Sequence, residues 1–467
     1  MAALLLSFAG NALGSAFGPA GAMVGRAVGA VAGGFIDRAL FGDDTRRRIE
    51  GPRLNDLDVM GSTEGAPIPR LYGRARLSGE LIWATRLEEV ISTRSETAGG
   101  GKGGGPRITM TSYSYFANFA VGLCDGPVAK IGRIWADGKP LDVEGLNVRS
   151  HLGAADQLPD PLIEAKEGAD SAPAYRDLAY LVFERLALEP FGNRIPQISV
   201  EVLRPVGRLE QMIRAVALTP GATEFGYDTL PVVRALGQGA YAPENRHVAN
   251  AETDWAASLD ELQAVCPNLK RVALVVAWFG SDLRAGECLV RPAVNNAAKV
   301  TQGATWAVTG LTRATAPVVS LHEERPAFGG TPSDASVVRA IKDLHARGIK
   351  VTFYPFLMMD VPAGNALPDP WTGGDSQPAY PWRGRITCDP GPGREDTADG
   401  TGAAATQVAK LFGKATPENF AVAGTIVSYS GPPEWTLRRM ILHYAHLCAA
   451  AGGVETFLTS TPVGEKE

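Results

Sequence analysis

Apolar or small residues alternate with polar ones between Leu71 and Gly79. A period of two predicts a β-strand with one apolar and one polar face. Pro67 and Pro69 precede this strand, and because proline cannot donate to a ladder, we expect the chain to enter at a sheet edge. Gly79 indicates a bulge or turn before a second short strand, residues 81–85.

The same alternation recurs over residues 111–123, where aromatic and small apolar side chains share one face that we expect in the core. The Cys-Asp-Gly-Pro turn at residues 124–127 predicts a hairpin whose return strand covers residues 128–136, followed by a second turn at residues 137–140. Upstream, the Gly-rich residues 97–106 predict a loop that joins two long strands. This loop lacks a GK[ST] sequence and a following helix, so it does not indicate a phosphate site.

A short helix and further strands continue this pattern, and we place a β-rich module at residues 50–205. The predicted helix covers residues 157–164, and the predicted strands cover residues 177–183 and 197–203.

From residue 206 onward, helical segments alternate with unbroken apolar runs. Such runs are typical of strands buried on both faces of a parallel sheet, and a barrel is the closed form of that sheet. We therefore predict an α/β, TIM-barrel-like domain over residues 206–467. The predicted helices are 209–216, 256–266, 335–347 (capped by Ser333), 401–412 and 435–451, and the predicted strands are 272–278, 318–321, 349–357, 422–428 and 455–458.

Residues 1–25 contain no charged side chain, and glycines recur mostly every fourth residue from Gly10 to Gly33. On a helix this spacing makes a stripe of bare backbone that lets helices approach closely. The run is also long enough to cross a bilayer. For residues 1–49 two hypotheses stay open: a Gly-rich apolar helix packed against its copies in an oligomer, and insertion into a membrane. A signal peptide is not indicated, because a basic n-region is missing.

Composition narrows the class of protein. The chain has 467 residues, of which 45% are hydrophobic, so an α+β multidomain chain with two or three cores is expected. Its 45 basic and 50 acidic residues give a net charge of −5, which does not indicate direct nucleic-acid binding. The five cysteines are scattered without a CxxC spacing, so we predict free thiols rather than disulfides or a zinc site.

No cofactor is predicted, and no metal site either. His443 and His446 lie three residues apart on a predicted helix, but no third ligand is evident. A solvated helix face is therefore the preferred interpretation of these two histidines.

Several stretches resemble a known family. Residues 65–83 (GAPIPRLYGRARLSGELIW), 112–141 (SYSYFANFAVGLCDGPVAKIGRIWADGKPL) and 191–202 (FGNRIPQISVEV) are similar to phage tail-tip hub proteins of the host-specificity class. Within that class they resemble most the large tail proteins of gene transfer agents. Residues 275–292, 328–360 and 438–458 are similar to the glycoside-hydrolase-like barrel of the same proteins.

This resemblance implies a structural tail-tip or baseplate hub subunit that contributes to host attachment and envelope penetration for DNA delivery. It implies a homo-oligomer, expected as a trimer around the tail axis, in contact with other hub proteins and a tail-associated cell-wall peptidase. The expected location is the tail tip of a virion-like particle made in the bacterial cytoplasm. A host surface glycan or membrane is the further partner that the resemblance suggests. A different hypothesis for the whole chain is a membrane-anchored protein of the cell envelope.

The enzymatic alternative is a barrel glycosidase acting on host surface polysaccharide. Barrel enzymes place their catalytic residues at the carboxyl ends of strands, and glycoside hydrolysis needs two carboxyl groups across the scissile bond. The candidate catalytic acids at such positions are Asp282, Glu323, Glu324 and Asp360. Solvated loop acids are the competing interpretation of all four.

The sequence departs from the family near its C-terminal end. The resemblance places a catalytic glutamate after the strand at residues 457–458, but the residues that directly follow Leu458 contain no acid at that position. The chain also stops before a barrel would close, so we expect open strand edges and an uncovered apolar face. Whether this chain is an enzyme is left open, and catalysis by this chain alone is not favoured.

Overall fold

The computed structural model describes residues 12, 21–29, 48–50, 65, 67–97 and 107–459. Within the N-terminal segment, residues 21–29 are helical. Among the described residues, no helix combines the length and the apolar character that a membrane crossing requires. The rest of the predicted Gly-rich helix and most of the Gly-rich loop lie outside the described residues.

Strands outnumber helices, which confirms a mixed α+β fold. The strands are β1 (Arg48–Glu50), β2 (Gly73–Ser78), β3 (Glu80–Ala84), β4 (Glu88–Thr97), β5 (Arg107–Asp125), β6 (Lys130–Ala136), β7 (Lys139–Pro140), β8 (Asn147–Leu152), β9 (Leu178–Ala187), β10 (Ile198–Arg204), β11 (Ala215–Leu218), β12 (Val233–Gly237), β13 (Ala240–Pro243), β14 (Arg271–Gly280), β15 (Val290–Arg291), β16 (Thr301–Gln302), β17 (Ala307–Val308), β18 (Leu311–Thr312), β19 (Leu321–His322), β20 (Arg325–Pro326), β21 (Lys350–Met359), β22 (Phe420–Ala423), β23 (Ile426–Tyr429) and β24 (Thr456–Phe457). The α-helices are α1 (Pro161–Glu167), α2 (Leu209–Met212), α3 (Asp254–Val265), α4 (Asp334–Ala346), α5 (Gly402–Phe412) and α6 (Leu437–Ala450), and short 3-10 helices cover Glu189–Phe191, Arg383–Arg385 and Pro417–Asn419.

The described residues group into two compact units. The first takes the residues up to Leu71, together with Arg76–Val128 and Ile134–Glu201. The second takes Tyr72–Ala75, Ala129–Arg133 and the residues from Val202 onward.

The first unit is built on β5, a strand of 19 residues. β5 pairs antiparallel with β3, β4 and β9, β8 continues the sheet beyond β9, and β1 pairs parallel with the start of β5. The predicted aromatic face is buried at Tyr115 and Phe119, and Phe119 stacks on Phe183 of β9 with ring centroids 4.7 Å apart. The two long strands predicted around the Gly-rich loop are confirmed as β4 and β5, since Thr97 pairs with Arg107.

The hairpin predicted at residues 124–127 is wrong. β5 and β6 lie in different sheets, because β6 belongs to a four-stranded sheet with the order β2-β10-β6-β7. Gly126 packs on the backbone of a distant glycine: a Cβ on Gly126 would lie 2.5 Å from the Gly153 oxygen. The N–H of Gly126 donates to the Asp177 oxygen at 2.7 Å, so these long-range contacts direct the chain away from β5. The turn at Asp137 forms as predicted and joins β6 to β7.

One sheet organises the second unit. Its order is β11-β14-β21-β24, and all four strands are parallel and follow the order of the chain; β15 adds an antiparallel partner to β14. Alternation with α3, α4 and α6 confirms the predicted parallel sheet. The described strands do not close into a barrel.

The helices cover one face of this sheet. Val272, Leu274 and Val276 of β14 are fully buried in one core with Ile341 of α4 and Tyr444 of α6. The alternate residues of β14, on the opposite face, are only half-buried up to residue 277. The prediction that this strand is buried on both faces is therefore wrong, because helices cover one face and the other is partly open.

Three elements of the second unit differ from the predictions. Helix α2 ends at Met212, and Ala215 and Val216, the last two residues of the predicted helix, begin β11, which pairs with β14. Residues 318–321 are no strand of the sheet: Val318 makes a single bridge to Val294 and remains exposed. Residues 422–428 belong to the β22–β23 hairpin rather than to one buried strand. Short apolar runs do not distinguish a buried strand from a helix or a loop, which explains these errors.

Candidate functional site

Two of the predicted site acids lie at the same end of the parallel sheet. β14 and β21 stay in register along their whole length, and the N–H of Asp360 donates to the Gly280 oxygen at 2.9 Å. Asp282 and Asp360 therefore follow the carboxyl ends of neighbouring strands. In α/β enzymes this edge of the sheet carries the chemistry, so the environment of each acid decides what it can do.

Asp282 is buried, and its carboxylate is saturated with partners. Arg284 donates to it from Nη2 at 2.7 Å and from the backbone N–H at 2.8 Å, and Gln377 Nε2 donates at 2.7 Å. Burial alone would raise the pKa of Asp282, but the hydrogen bonds from Arg284 and Gln377 lower this pKa below its ordinary value. An ionised, paired carboxylate is suited to anchoring the loop at residues 361–401, which contains Gln377, rather than to proton transfer.

The carboxylate of Asp360 accepts hydrogen bonds from Ser320, which lies in the connection between β14 and β21. Its two carboxylate oxygens accept from the backbone N–H of Ser320 at 2.9 Å and from Ser320 Oγ at 2.5 Å. Ser320 Oγ also lies 3.1 Å from the hydroxyl of Tyr380. Asp360 thus connects the end of β21 to Ser320 and, through Ser320, to Tyr380, and each of its oxygens accepts one hydrogen bond from Ser320.

Glu323 and Glu324 have a different setting. They are the exposed central residues of the two-residue turn between β19 and β20, with φ values of 49° and 63°. The premise that these acids follow a strand of the sheet is wrong, because residues 318–321 do not join it. Of the four candidate acids, the structure places only Asp282 and Asp360 after strands of the parallel sheet.

His443 is buried, so the predicted solvated helix face is wrong at this position. Its Nε2 lies 2.9 Å from Asp334 Oδ1 at the start of α4, and its ring packs beside Trp278. His446 is half-buried and stacks on Phe420. Within the described ranges, no group of three His, Cys, Asp or Glu side chains could hold a metal ion. The His443–Asp334 contact instead joins α6 to α4.

A buried ion network follows β11, and sequence reasoning missed it. Lys299 Nζ donates to Glu224 Oε2 at 3.0 Å and to Glu244 Oε2 at 2.9 Å, while Arg313 Nη1 donates to Glu224 Oε1 at 3.0 Å. Glu224 and Glu244 are 0% and 5% exposed. The four residues are spread over 90 positions of the chain, and no local motif connects them.

Hydrogen bonds within the ion network lower the pKa of one of its carboxyl groups. Burial alone would raise the pKa of Glu244, but the hydrogen bonds from Lys299 and Thr223 lower it. In the described part of the chain, every carboxyl group whose pKa clearly departs from its ordinary value has a lowered pKa; these are Glu88, Asp137, Asp160, Glu244, Asp282, Glu418 and Glu455.

A cleft of about 590 Å³ opens beside the ion network. The end of β11, the loop that follows it and one side of α3 form its walls, and Glu244, Asn295 and Lys299 line it from the network side. Clefts of this size hold small ligands in many proteins. The cleft and the Asp282–Asp360 edge are the two candidate sites of the second unit.

Comparisons with known proteins add one family match. Residues 435–464 match the family model of the GTA TIM-barrel-like domain, and these residues include α6 and β24. No curated protein matches the chain. A chain of the solved structure described as "Virion of native gene transfer agent (GTA) particle" is 37% identical to this protein, over 42% of this chain and 43% of that chain, with a TM-score of 0.27. This protein therefore spans less than half of that chain, and the low TM-score gives no information on the fold.

Proposed function

We propose that this protein is a structural subunit of a particle of the gene transfer agent type, or of a related siphophage-like particle. The observation that carries the proposal is the match of residues 435–464 to the GTA TIM-barrel-like domain. The described part of this match includes α6 and β24, and β24 is the last strand of the described parallel sheet. The similarity of residues 65–83 and 112–141 to tail-tip hub proteins supports the same proposal from the other end of the chain.

Within the particle, we assign the chain to the tail tip, as a hub or baseplate subunit that helps attach to the host and penetrate its envelope. Three copies around the tail axis, other hub proteins and a tail-associated cell-wall peptidase are the proposed neighbours. One face of β14 in the parallel sheet is only half-buried. Exposed apolar surface is typical of a site that contacts another protein, so this face fits a subunit whose sheet is covered by neighbouring chains.

Particle fractionation tests the proposal. A strain that carries an epitope-tagged copy of the gene is lysed, and the particles are separated on a density gradient. We expect the tag to sediment with capsid and tail proteins, and we expect deletion of the gene to abolish DNA transfer while filled capsids still form. A tag that stays in the soluble fraction, with normal transfer in the deletion strain, would overturn the proposal.

A further inference from the structure

Helix α5 has a polar side chain on its inner side and large apolar side chains on its outer side. The amide of Gln407 donates to the Asp389 oxygen at 2.7 Å and accepts from the Asp389 N–H at 2.8 Å. Leu411, four positions later on the same side, is buried. Val408 and Phe412 are 42% and 38% exposed, although a surface helix normally buries such side chains. The amphipathic pattern of α5 is therefore reversed relative to the core.

The exposed apolar side chains of α5 form one face. Ala405, Val408, Ala409 and Phe412 recur with the spacing i, i+3, i+4 and i+7, which places them on one side of the helix, and all four residues are exposed. This is the spacing by which one helix packs on another. The face therefore has the form of one half of a helix–helix contact.

A groove of about 590 Å³ between α5 and the start of α6 borders this face and carries positive charge. Lys410 and Lys414 line the groove, are exposed, and make no ion pair among the described residues. Of the lining residues only Glu434 is acidic, and its Oε1 accepts from the N–H groups of Lys414 and Ala415 at 2.8 and 2.9 Å. Two lysines against one engaged carboxylate leave the groove with a net positive charge.

We propose that α5 docks an amphipathic helix of a different protein chain, one with apolar side chains on one face and carboxylates along its flank. The apolar side chains of that helix cover Val408 and Phe412, and its carboxylates pair with Lys410 and Lys414. A second copy of α5 fits less well, because residues 402–412 contain lysine but no acidic residue. The inference stands on α5 and its groove and does not depend on the particle assignment.

Two synthetic peptides test the inference against the purified full chain. Both are stapled amphipathic helices with leucine and alanine on one face, and their flanks carry glutamate in one peptide and lysine in the other. Fluorescence anisotropy measures binding at low and high salt. We expect the wild type to bind the glutamate peptide at least about tenfold more tightly than the lysine peptide, with a preference that weakens at high salt. Hydrogen exchange should show slower amide exchange in α5 when this peptide is bound.

Charge reversal provides the sharper comparison. The double variant Lys410→Glu/Lys414→Glu should prefer the lysine peptide, and Val408→Glu should weaken binding of the glutamate peptide roughly tenfold or more. Lys342→Glu, which changes an exposed lysine on α4, is the matched control and should bind like the wild type. All substituted positions are exposed, and circular dichroism checks that each variant is folded.

Three results would overturn the inference. One is that neither peptide binds the wild type, or that both bind equally well. Another is that the double variant keeps the preference for the glutamate peptide, or that protection on binding falls outside α5. The third is a wild-type dimer in analytical ultracentrifugation that Val408→Glu dissociates, because that result would assign the face to a second copy of this chain.

Discussion

Each unit contains a buried aspartate whose side chain is bound by an arginine. In the first unit, Asp160 is fully buried, binds Arg149 through both oxygens at 2.7 and 2.9 Å, and accepts from the first turn of α1. In the second unit, Asp228 is held by Arg339 and by Ser336. Removal of one partner from such a buried pair typically costs about 3–5 kcal/mol, since it leaves an uncompensated charge.

Replacement of Asp160 should have a pH-dependent effect. Burial alone would raise the pKa of Asp160, but Arg149, His151 and the N–H of Leu162 outweigh burial and hold it at about 2. A lowered folded-state pKa contributes stability that is complete above the unfolded pKa of 3.8 and is lost as the pH falls toward 2. Asp160→Asn should therefore lower the free energy of unfolding by at least about 2 kcal/mol at pH 7, and this deficit should shrink below pH 4.

Urea denaturation of the wild type and Asp160→Asn between pH 7 and pH 2.5 measures this effect. Asp156→Asn, at an exposed position four residues earlier, is the matched control and should unfold like the wild type. A deficit of the same size at every pH would show that the charge of Asp160 is not what stabilises the first unit.

Asp282 should act as an anchor and not as a catalyst. In Asp282→Asn, Arg284 loses its ionic partner, so we expect about 3 kcal/mol of destabilisation and faster amide exchange in residues 361–401. Asp375→Asn, an exposed change within the same loop, should leave exchange unchanged. Hydrogen exchange with mass spectrometry makes the comparison. Unaltered exchange around Gln377 in Asp282→Asn would rule out the anchoring role.

At the scale of elements, the sequence predicted the structure correctly where the interacting residues lie close together along the chain. Ser333 caps α4 as predicted, by accepting from the Ser336 N–H, and the turn at Asp137 joins β6 to β7. The errors arose where distant residues decide the structure, as at β11, which pairs with β14 although its sequence continues a helical pattern. The ion network around Lys299 was unpredictable for the same reason, because only the fold brings Glu224 and its partners together.

The direction of the chain between β5 and β6 should depend on a glycine. A Cβ on Gly126 would overlap the backbone of Gly153, which cannot move aside as a flexible side chain could. Gly126→Ala should therefore destabilise the first unit by roughly 2–3 kcal/mol or more. Gly207→Ala is the matched control, because a Cβ on Gly207 meets nothing within 4 Å. Equal midpoints of urea denaturation for the two variants would contradict the close contact.

At the scale of the whole molecule, the second unit is organised around a parallel sheet whose described strands do not close. β14 and β21 have strand partners on both sides, whereas β11 and β24 end the sheet among the described residues. Helices cover one face, so the architecture resembles a barrel wall more than a sheet wound on both sides. The match to the GTA TIM-barrel-like domain falls on the last helix and strand of this wall.

An open sheet should be visible in the exchange of its backbone amides. In the purified chain, we expect the amides of β14 and β21 to exchange about 100-fold more slowly than those of β11 and β24, because opening of an edge strand requires less unfolding. Residue-resolved hydrogen exchange by NMR measures the difference, and α3 provides an internal reference. Uniform protection of all four strands would indicate a closed sheet instead.

The location of this chain in a particle is the most direct test of the account. Cryo-electron microscopy of native particles, compared with particles whose copy of this chain carries a fused marker domain, would locate it. The account predicts additional density at the tail tip, repeated in symmetric copies around the tail axis. Marker density on the capsid, or particles that lack the chain and still have complete tail tips, would contradict it.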